Sequence, residues 1–311
     1  MNNSQSLPLI SVVLATCNGE QFIREQLNSV IQQTYSNLEI IVVDDKSTDN
    51  TTSIIEEYQQ LSSNIQLHIN ETNIGYIKNF EKGCRLAKGE FIALCDQDDR
   101  WELTKISQLY EAIGNYALVY ADSVLCNETM QPIGSNISTR VNSTHFNNPI
   151  QQAVFCRIYG HAMLIRSSFL QKSFPFLPII PHDWWIAYTA TIHGGIGYLP
   201  QPLAYYRQHS NNVFGAVGGK RNKAAIKNSR RKEQAIARER VKAFYTYCPE
   251  HLIKEKAILK ELVKTYSSFS LANNLGRMWL FFSYYNLLLA SKKRSLIRKW
   301  LFCFKMFTKI I

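Results

Sequence analysis

The sequence predicts an α/β fold, a mostly parallel sheet with helices on both faces, followed by a basic helical region. Three observations carry this. Short β-branched runs alternate with amphipathic stretches between residues 9 and 96. Acidic residues gather at the ends of those runs, where open parallel sheets bind their ligands. Charge also divides the chain: residues 1–219 hold 13 Lys/Arg against 19 Asp/Glu, and residues 220–311 hold 22 against 5. With 311 residues, 46% of them hydrophobic, the chain can bury a substantial core.

Taken in order, "LISVVLAT" (9–16), "LEIIVVDD" (38–45), "IQLHIN" (65–70) and "EFIALCD" (90–96) read as strands. The intervals read as helices. Residues 20–33 place Phe22, Ile23, Leu27, Val30 and Ile31 on one stripe, and 49–61 and 76–88 fill the next two gaps. Beyond Val119 the pattern loosens, and "MQPIGSNISTRVNSTHFNNP" reads as a long loop over the sheet rim. From Lys220 onward helices return.

Seven cysteines without a C-x-x-C pair point to reduced thiols in a cytosolic setting and against a structural zinc. The run "LPLISVVLA" has no preceding Lys or Arg and reads as a buried strand rather than a signal core. The longest late apolar stretch, Met278 to Ala290, is interrupted by Ser283 and Asn286 and is too short for a bilayer core of ~30 Å, so no spanning helix is expected.

The expected fold brings Thr16, Asp44, Asp45 and the "CDQDD" cluster to one rim. Carboxylates crowded there stay ionised together only beside a cation, and hard divalent ions such as Mg²⁺ or Mn²⁺ take oxygen ligands. Such an ion keeps open positions for substrate phosphates. Asp99 fits equally well as a cap for the helix that follows. No strand is followed by a dinucleotide fingerprint or a phosphate-cradling P-loop.

Here "SVVLATCNGEQFIREQLNSVIQQTYSNLEIIVVDDKSTDNT", followed by "GEFIALCDQDDRW", resembles the N-terminal half of family 2 glycosyltransferases. These are inverting, nucleotide-sugar-dependent enzymes with the GT-A fold. The resemblance covers roughly residues 9–215 and implies a transferase domain over 1–215 and a helical extension over 216–311. It implies that Asp45 receives the N3–H of a uracil or thymine, that Thr16 lines the same pocket, and that Asp96 and Asp98 provide the metal and ribose contacts. It also assigns Asp183 of "PHDWWIAYTA" as the general base, although spacing alone favours a helix cap there. Trp184 and Trp185 could offer a stacking surface to an acceptor sugar, with at least one of them in the core. "YYRQHSNNVFG" is similar to the segment after the catalytic helix in rhamnosyltransferase-like members. It implies His209 as third metal ligand, Arg207 near the diphosphate and a closing lid beyond.

From Arg277 to Ile311 there are eight Lys/Arg and no acid. Taken as a helix, Arg298, Lys305 and Lys309 share one face, and Ile297, Leu301, Phe304, Phe307 and Ile311 the other. That pattern fits an interfacial helix on anionic lipid, or a helix packed on the core with a solvated basic face. "GKRNKAAIKNSRRKEQ" is basic enough for nucleic acid, but no binding fold surrounds it, and no nucleic acid partner is expected. The sequence therefore reads as a cytoplasmic transferase, peripheral on the cytoplasmic face of the inner membrane. It would move a sugar, rhamnose first, from a UDP- or dTDP-sugar donor to a lipid-linked surface glycan such as O-antigen or capsule. A nucleotidyltransferase and a non-enzymatic basic binding protein are the competing readings.

Overall fold

The computed structural model describes residues 6–209 and 223–311. β1 (Ile10–Thr16), α1 (Ile23–Ile31), β2 (Leu38–Asp44), α2 (Thr51–Leu61), β3 (Ile65–Ile69), α3 (Tyr76–Leu86) and β4 (Phe91–Asp96) alternate as expected. β1 pairs in parallel with both β2 and β4, and β2 with β3. The chain thus moves outward from β1 to β3, then returns to the other side of β1. This reversal opens a crevice at the carboxyl ends of β1 and β4.

The apolar runs are continuous because this part of the sheet is covered on both faces. Along β1, Val13 joins one core cluster, while Ile10, Val12 and Leu14 join the cluster on the opposite face. Each such side chain contributes about 1.5–3 kcal/mol relative to exposure. α3 lies close on β1 because residue 83 is glycine: a Cβ there would stand 2.4 Å from Val13 Cγ1.

The second half departs from the loop that its sequence suggests. β5 (Arg100–Trp101), α4 (Lys105–Ile113), β6 (Leu118–Cys126), β7 (Pro132–Asn136), β8 (Met163–Arg166), α5 (His182–Ile192) and β9 (Ile196–Arg207) complete the sheet. The strand order is β3-β2-β1-β4-β8-β6-β9-β5, with β7 added to β6. β8 runs antiparallel to both β4 and β6, and β6 pairs in parallel with β9. Part of the stretch expected as a loop is therefore the edge strand β7 and a short helical turn, Ile137–Arg140.

The C-terminal helices are α6 (Lys223–Tyr247), α7 (Ile253–Tyr266), α8 (Leu271–Ser283) and α9 (Leu296–Lys305). Their Phe244, Leu259, Leu262, Phe281 and Cys303 share one hydrophobic cluster with Trp185 and Tyr188 of α5. The core is thus continuous across the boundary expected near residue 215. The lid expected after His209 lies outside the described residues. No described helix is long and apolar enough to cross a membrane.

Candidate active site

The loops after β1 and β2 and the segment before α3 build one side of the crevice. Asp44 accepts from Thr16 Oγ1 (2.8 Å), Ser47 N (2.8 Å) and Ser47 Oγ (2.5 Å). Asp45, 2% exposed, accepts from Asn70 Nδ2, Ile74 N and Gly75 N, each at 2.8 Å. Gln97 ties this side to the acidic loop, accepting from Cys17 N (2.8 Å) and donating to Cys17 O (3.1 Å). Residue 19 must be glycine for that clamp, because a Cβ would stand 2.4 Å from Gln97 Oε1.

The other side holds the carboxylates with fewer partners. Asp96 closes β4 beside Ala15 of β1. Burial, then the charges of Asp98 and Asp183, push its carboxyl up to about 7. Asp98 faces His209, with Oδ2 2.7 Å from Nε2. Asp99 is fully buried; its Oδ1 accepts from Arg207 N (3.0 Å), but Oδ2 has no hydrogen-bond partner. Burial and the neighbouring Asp98 and Asp96 hold the Asp99 carboxyl well above the usual carboxylate range.

The structure adds two residues that sequence reasoning missed. His161 Nδ1 lies 3.5 Å from Asp99 Oδ2 and 3.8 Å from Asp96 Oδ2, and one ligand atom from each of these three residues falls within 4.8 Å of the others. Its Nε2 pairs with Ser123 Oγ at 2.9 Å, which fixes the ring. Burial lowers its pKa to about 3, so the imidazole is neutral and has a lone pair to offer. Lys105, buried below, donates to His161 O at 2.5 Å and lies 3.2 Å from the Trp101 ring centroid. Burial lowers its pKa to about 7, and the nearby Cys95, Asp99 and Asp96 oppose that shift. A lone histidine before a short strand has no spacing signal. The register reveals it: Leu164 pairs with Ala93, so continuing the antiparallel pairing by three residues sets residue 161 beside residue 96.

Asp183 is in the first turn of α5, whose N-cap position is Pro181, so the cap assignment suggested by spacing does not hold. Its Oδ1 accepts from Trp184 N at 2.7 Å. Burial pushes its carboxyl up to about 6. Its charge raises the Asp96 carboxyl, and it lies against Gly160, the residue before His161, so that a Cβ there would stand 3.8 Å from Asp183 Cβ.

Two expected contacts are corrected. Arg207 is 3% exposed and its guanidinium is committed to protein oxygens: Nε donates to Asp98 O (2.7 Å), Nη2 to Glu25 Oε2 (2.5 Å) and Nη1 to Glu128 O. It straps the acidic loop from below instead of reaching a diphosphate. Trp185, 2% exposed, donates to Ser173 O and stacks on Phe244, so it belongs to the core and offers no sugar platform. Trp184 donates to Gln152 O at 2.6 Å, and Arg240 covers one ring face at 3.9 Å from the centroid.

Residues 11–171, more than half of the chain, match the model of glycosyl transferase family 2. An uncharacterized glycosyltransferase of Haemophilus influenzae is 28% identical over 250 residues, covering 73% of each chain. The dTDP-rhamnosyl transferase RfbG of Shigella flexneri is 32% identical over 221 residues, 65% of this chain and 74% of that one. Among solved structures, S. aureus TarS 1-349 in complex with UDP-GlcNAc aligns with a TM-score of 0.61 at 18% identity, covering 96% of this chain and 80% of that one. The shared fold is the GT-A fold that the sequence motifs imply. The nucleotidyltransferase and binding-module readings give way: the chain belongs to glycosyl transferase family 2 and is a glycosyltransferase.

Proposed function

We propose that the protein is a metal-dependent inverting transferase that moves a sugar from a UDP- or dTDP-sugar to a bacterial surface glycan, with Asp183 as general base. One observation supports this reading: Asp183, whose carboxyl burial holds at about 6, sits against Gly160, the residue before His161 of the acid–histidine group, where a Cβ on residue 160 would lie 3.8 Å from Asp183 Cβ. A base poised just below neutral pH is largely ionised in working conditions and still able to take a proton from an attacking hydroxyl.

The residues present fit a divalent cation. Asp99 Oδ2 is buried without a donor, and Asp96, Asp99 and His161 form an oxygen-rich set with one neutral imidazole. Asp98 and His209 adjoin the same loop and could hold the ion from its outer side. When bound, Mg²⁺ or Mn²⁺ would neutralise the charge of the diphosphate leaving group. Asp45 Oδ2 accepts only from Gly75 N among the described residues and retains a lone pair for the N–H of uracil or thymine. Thr16 and Asp44 hold the loop shape around it. Asp183 takes the acceptor proton as its hydroxyl attacks the anomeric carbon from the face opposite the nucleotide.

Rhamnose from a dTDP donor is favoured by the RfbG likeness. A lipid-linked acceptor, of the O-antigen or capsule kind, fits the tail. On α9, Ile297 (73% exposed), Trp300 (51%), Leu301 (56%) and Phe304 (57%) face outward, while Cys303 and Met306 pack inward. An apolar stripe flanked by Arg298, Lys299 and Lys305 is the interfacial pattern, and it supports a peripheral location on an anionic cytoplasmic membrane face. Arg277 is not part of that surface, because it is fully buried and donates to Met306 O and Thr265 O.

The test is a screen of UDP- and dTDP-sugars for donor hydrolysis and transfer, with and without EDTA, followed by the anomeric configuration of the product. Metal-dependent turnover with inversion is expected. Retained configuration, or full activity in EDTA, would overturn the reading.

A further inference from the structure

His182 has no part in the transfer reaction, and its surroundings are unusual for an imidazole. It opens α5, directly before Asp183, and is 6% exposed. Neither Nδ1 nor Nε2 has a hydrogen-bond partner among the described residues. Burying both nitrogens without partners costs stability, so the ring is held there by its packing and not by polar bonds. Phe80 stacks on it with centroids 4.1 Å apart and planes 24° from parallel, and Tyr76 meets it edge to face at 5.8 Å. Both come from the first two turns of α3, whose N-cap residue, Gly75, donates to Asp45.

The third neighbour is Gly160. A Cβ there would stand 3.0 Å from His182 Nε2, so close that the ring would have to give by a few tenths of an ångström. Gly160 is not among the glycines with positive φ, so space and not backbone conformation requires glycine at this position. The wall behind it is fixed: His161 Nε2 pairs with Ser123 Oγ at 2.9 Å, and His161 O accepts from Lys105 Nζ. A shift at this contact therefore falls on the first turn of α5, where Asp183 stands.

We propose that His182 is a positioning residue for Asp183: its ring, backed by Phe80 and Tyr76, sets the distance between the first turn of α5 and the segment that carries His161. The inference rests on the reading of Asp183 as the general base. The imidazole serves here as a flat spacer. It neither gives nor takes a proton in the reaction, since both nitrogens are buried and reach no polar group. The spacing matters because a misplacement of about 1 Å can cost roughly 10²-fold in rate.

The experiment measures kcat and KM for donor turnover, and UDP affinity with Mn²⁺, on the full chain. Gly160→Ala should lower kcat by roughly three- to tenfold, in keeping with a shift of a few tenths of an ångström, and leave the donor KM and UDP affinity unchanged. His182→Ala, which removes the spacer, should lower kcat by about tenfold or more. Adding Gly160→Ala to it should have no further effect, because the clash needs the ring. In the Asp183→Asn background Gly160→Ala should likewise leave the residual turnover as it is, since no base remains to be misplaced. The proposal is overturned if Gly160→Ala turns over like wild type, if it lowers UDP affinity as much as kcat, or if its loss recurs in either background; each result would make the contact ordinary packing. Should His182→Ala fail to fold, Gly160→Ala alone and in the Asp183→Asn background decides the matter. Near-normal turnover by Asp183→Asn sinks the base reading and this inference with it, whereas an inactive Asp183→Asn beside an unaffected Gly160→Ala sinks this inference alone.

Discussion

Two groups of aspartates line the same rim and are built in opposite ways. Asp44 and Asp45 each accept three hydrogen bonds from the protein. Asp96 and Asp99 are under-supplied: Asp99 Oδ2 has no hydrogen-bond partner, and burial with the neighbouring carboxylates pushes both carboxyls upward, while burial raises Asp183 despite the backbone N–H groups that it accepts from. The first pair is finished by folding and gives a rigid pocket before any ligand arrives. The second group is left short of positive charge and protons, which a cation and an acceptor hydroxyl can supply. On the function proposed above, one rim thus combines a preformed recognition site with a reactive one.

Four experiments would break or sharpen that contrast. The largest effect is expected at Asp183. Asp183→Asn removes proton acceptance but keeps the shape, so transfer should fall roughly 10²- to 10⁴-fold with UDP binding intact. In wild type the base must be ionised, so kcat/KM should fall as pH drops through about 6. Near-normal transfer by the Asn variant would place the base elsewhere.

Next in size is a stability comparison. Asp45→Ala strands buried donors that now pair with it and should cost about 1–3 kcal/mol for each one left unsatisfied, with weaker nucleotide binding. Asp99→Asn keeps the Oδ1 acceptor for Arg207 N and removes a charge that folding penalises. Without metal, denaturant midpoints near neutral pH should drop for the first variant and hold or rise for the second. A marked loss in Asp99→Asn would show that this carboxylate is already compensated.

Third comes the response to metal. The Asp96 carboxyl is raised to about 7, so the folded protein holds its proton more tightly than the unfolded chain does. Its contribution favours folding at low pH and is lost as pH rises through that value. A divalent cation takes the place of the proton, so Mn²⁺ should raise Tm more at pH about 8 than at about 5. An equal shift at both would place the ion away from these acids. The smallest structural effect is expected at α9: Ile297→Ser with Trp300→Ser should change stability by only about ±0.5 kcal/mol, since both side chains are largely exposed. Flotation with anionic vesicles should nevertheless show reduced binding.

The same contrast governs what the sequence could tell. β1 to β4 are legible because strands buried on both faces must be apolar throughout, and their acidic ends follow from the parallel order. The positions of Asp44 and Asp45 on the rim were thus readable, whereas the donors that fix them, Asn70, Ile74 and Gly75, were not. The reactive side was readable only in part. Asp96, Asp98 and Asp99 are adjacent in the chain, but His161 and Lys105 join them only through the β4–β8 register and the packing of α4. Arg207 and Trp185 carry residue types suited to ligands, yet burial assigns them to the scaffold. Side-chain type gives chemistry, and only packing says which way that chemistry faces.

Asn142 donates to the backbone oxygens of Ala290 and Ser291. These bonds fasten the C-terminal quarter to the segment after β7, so that it is part of the folded core and not an exchangeable anchor. A chimaera joined near residue 216, meant only to relocate the enzyme, would break the cluster that Phe244, Leu259, Leu262 and Phe281 share with Trp185 and Tyr188 of α5, the helix that carries Asp183. Recombination at that junction would therefore disturb the packing under α5 as well as the tail, so the two parts of the chain can change only together.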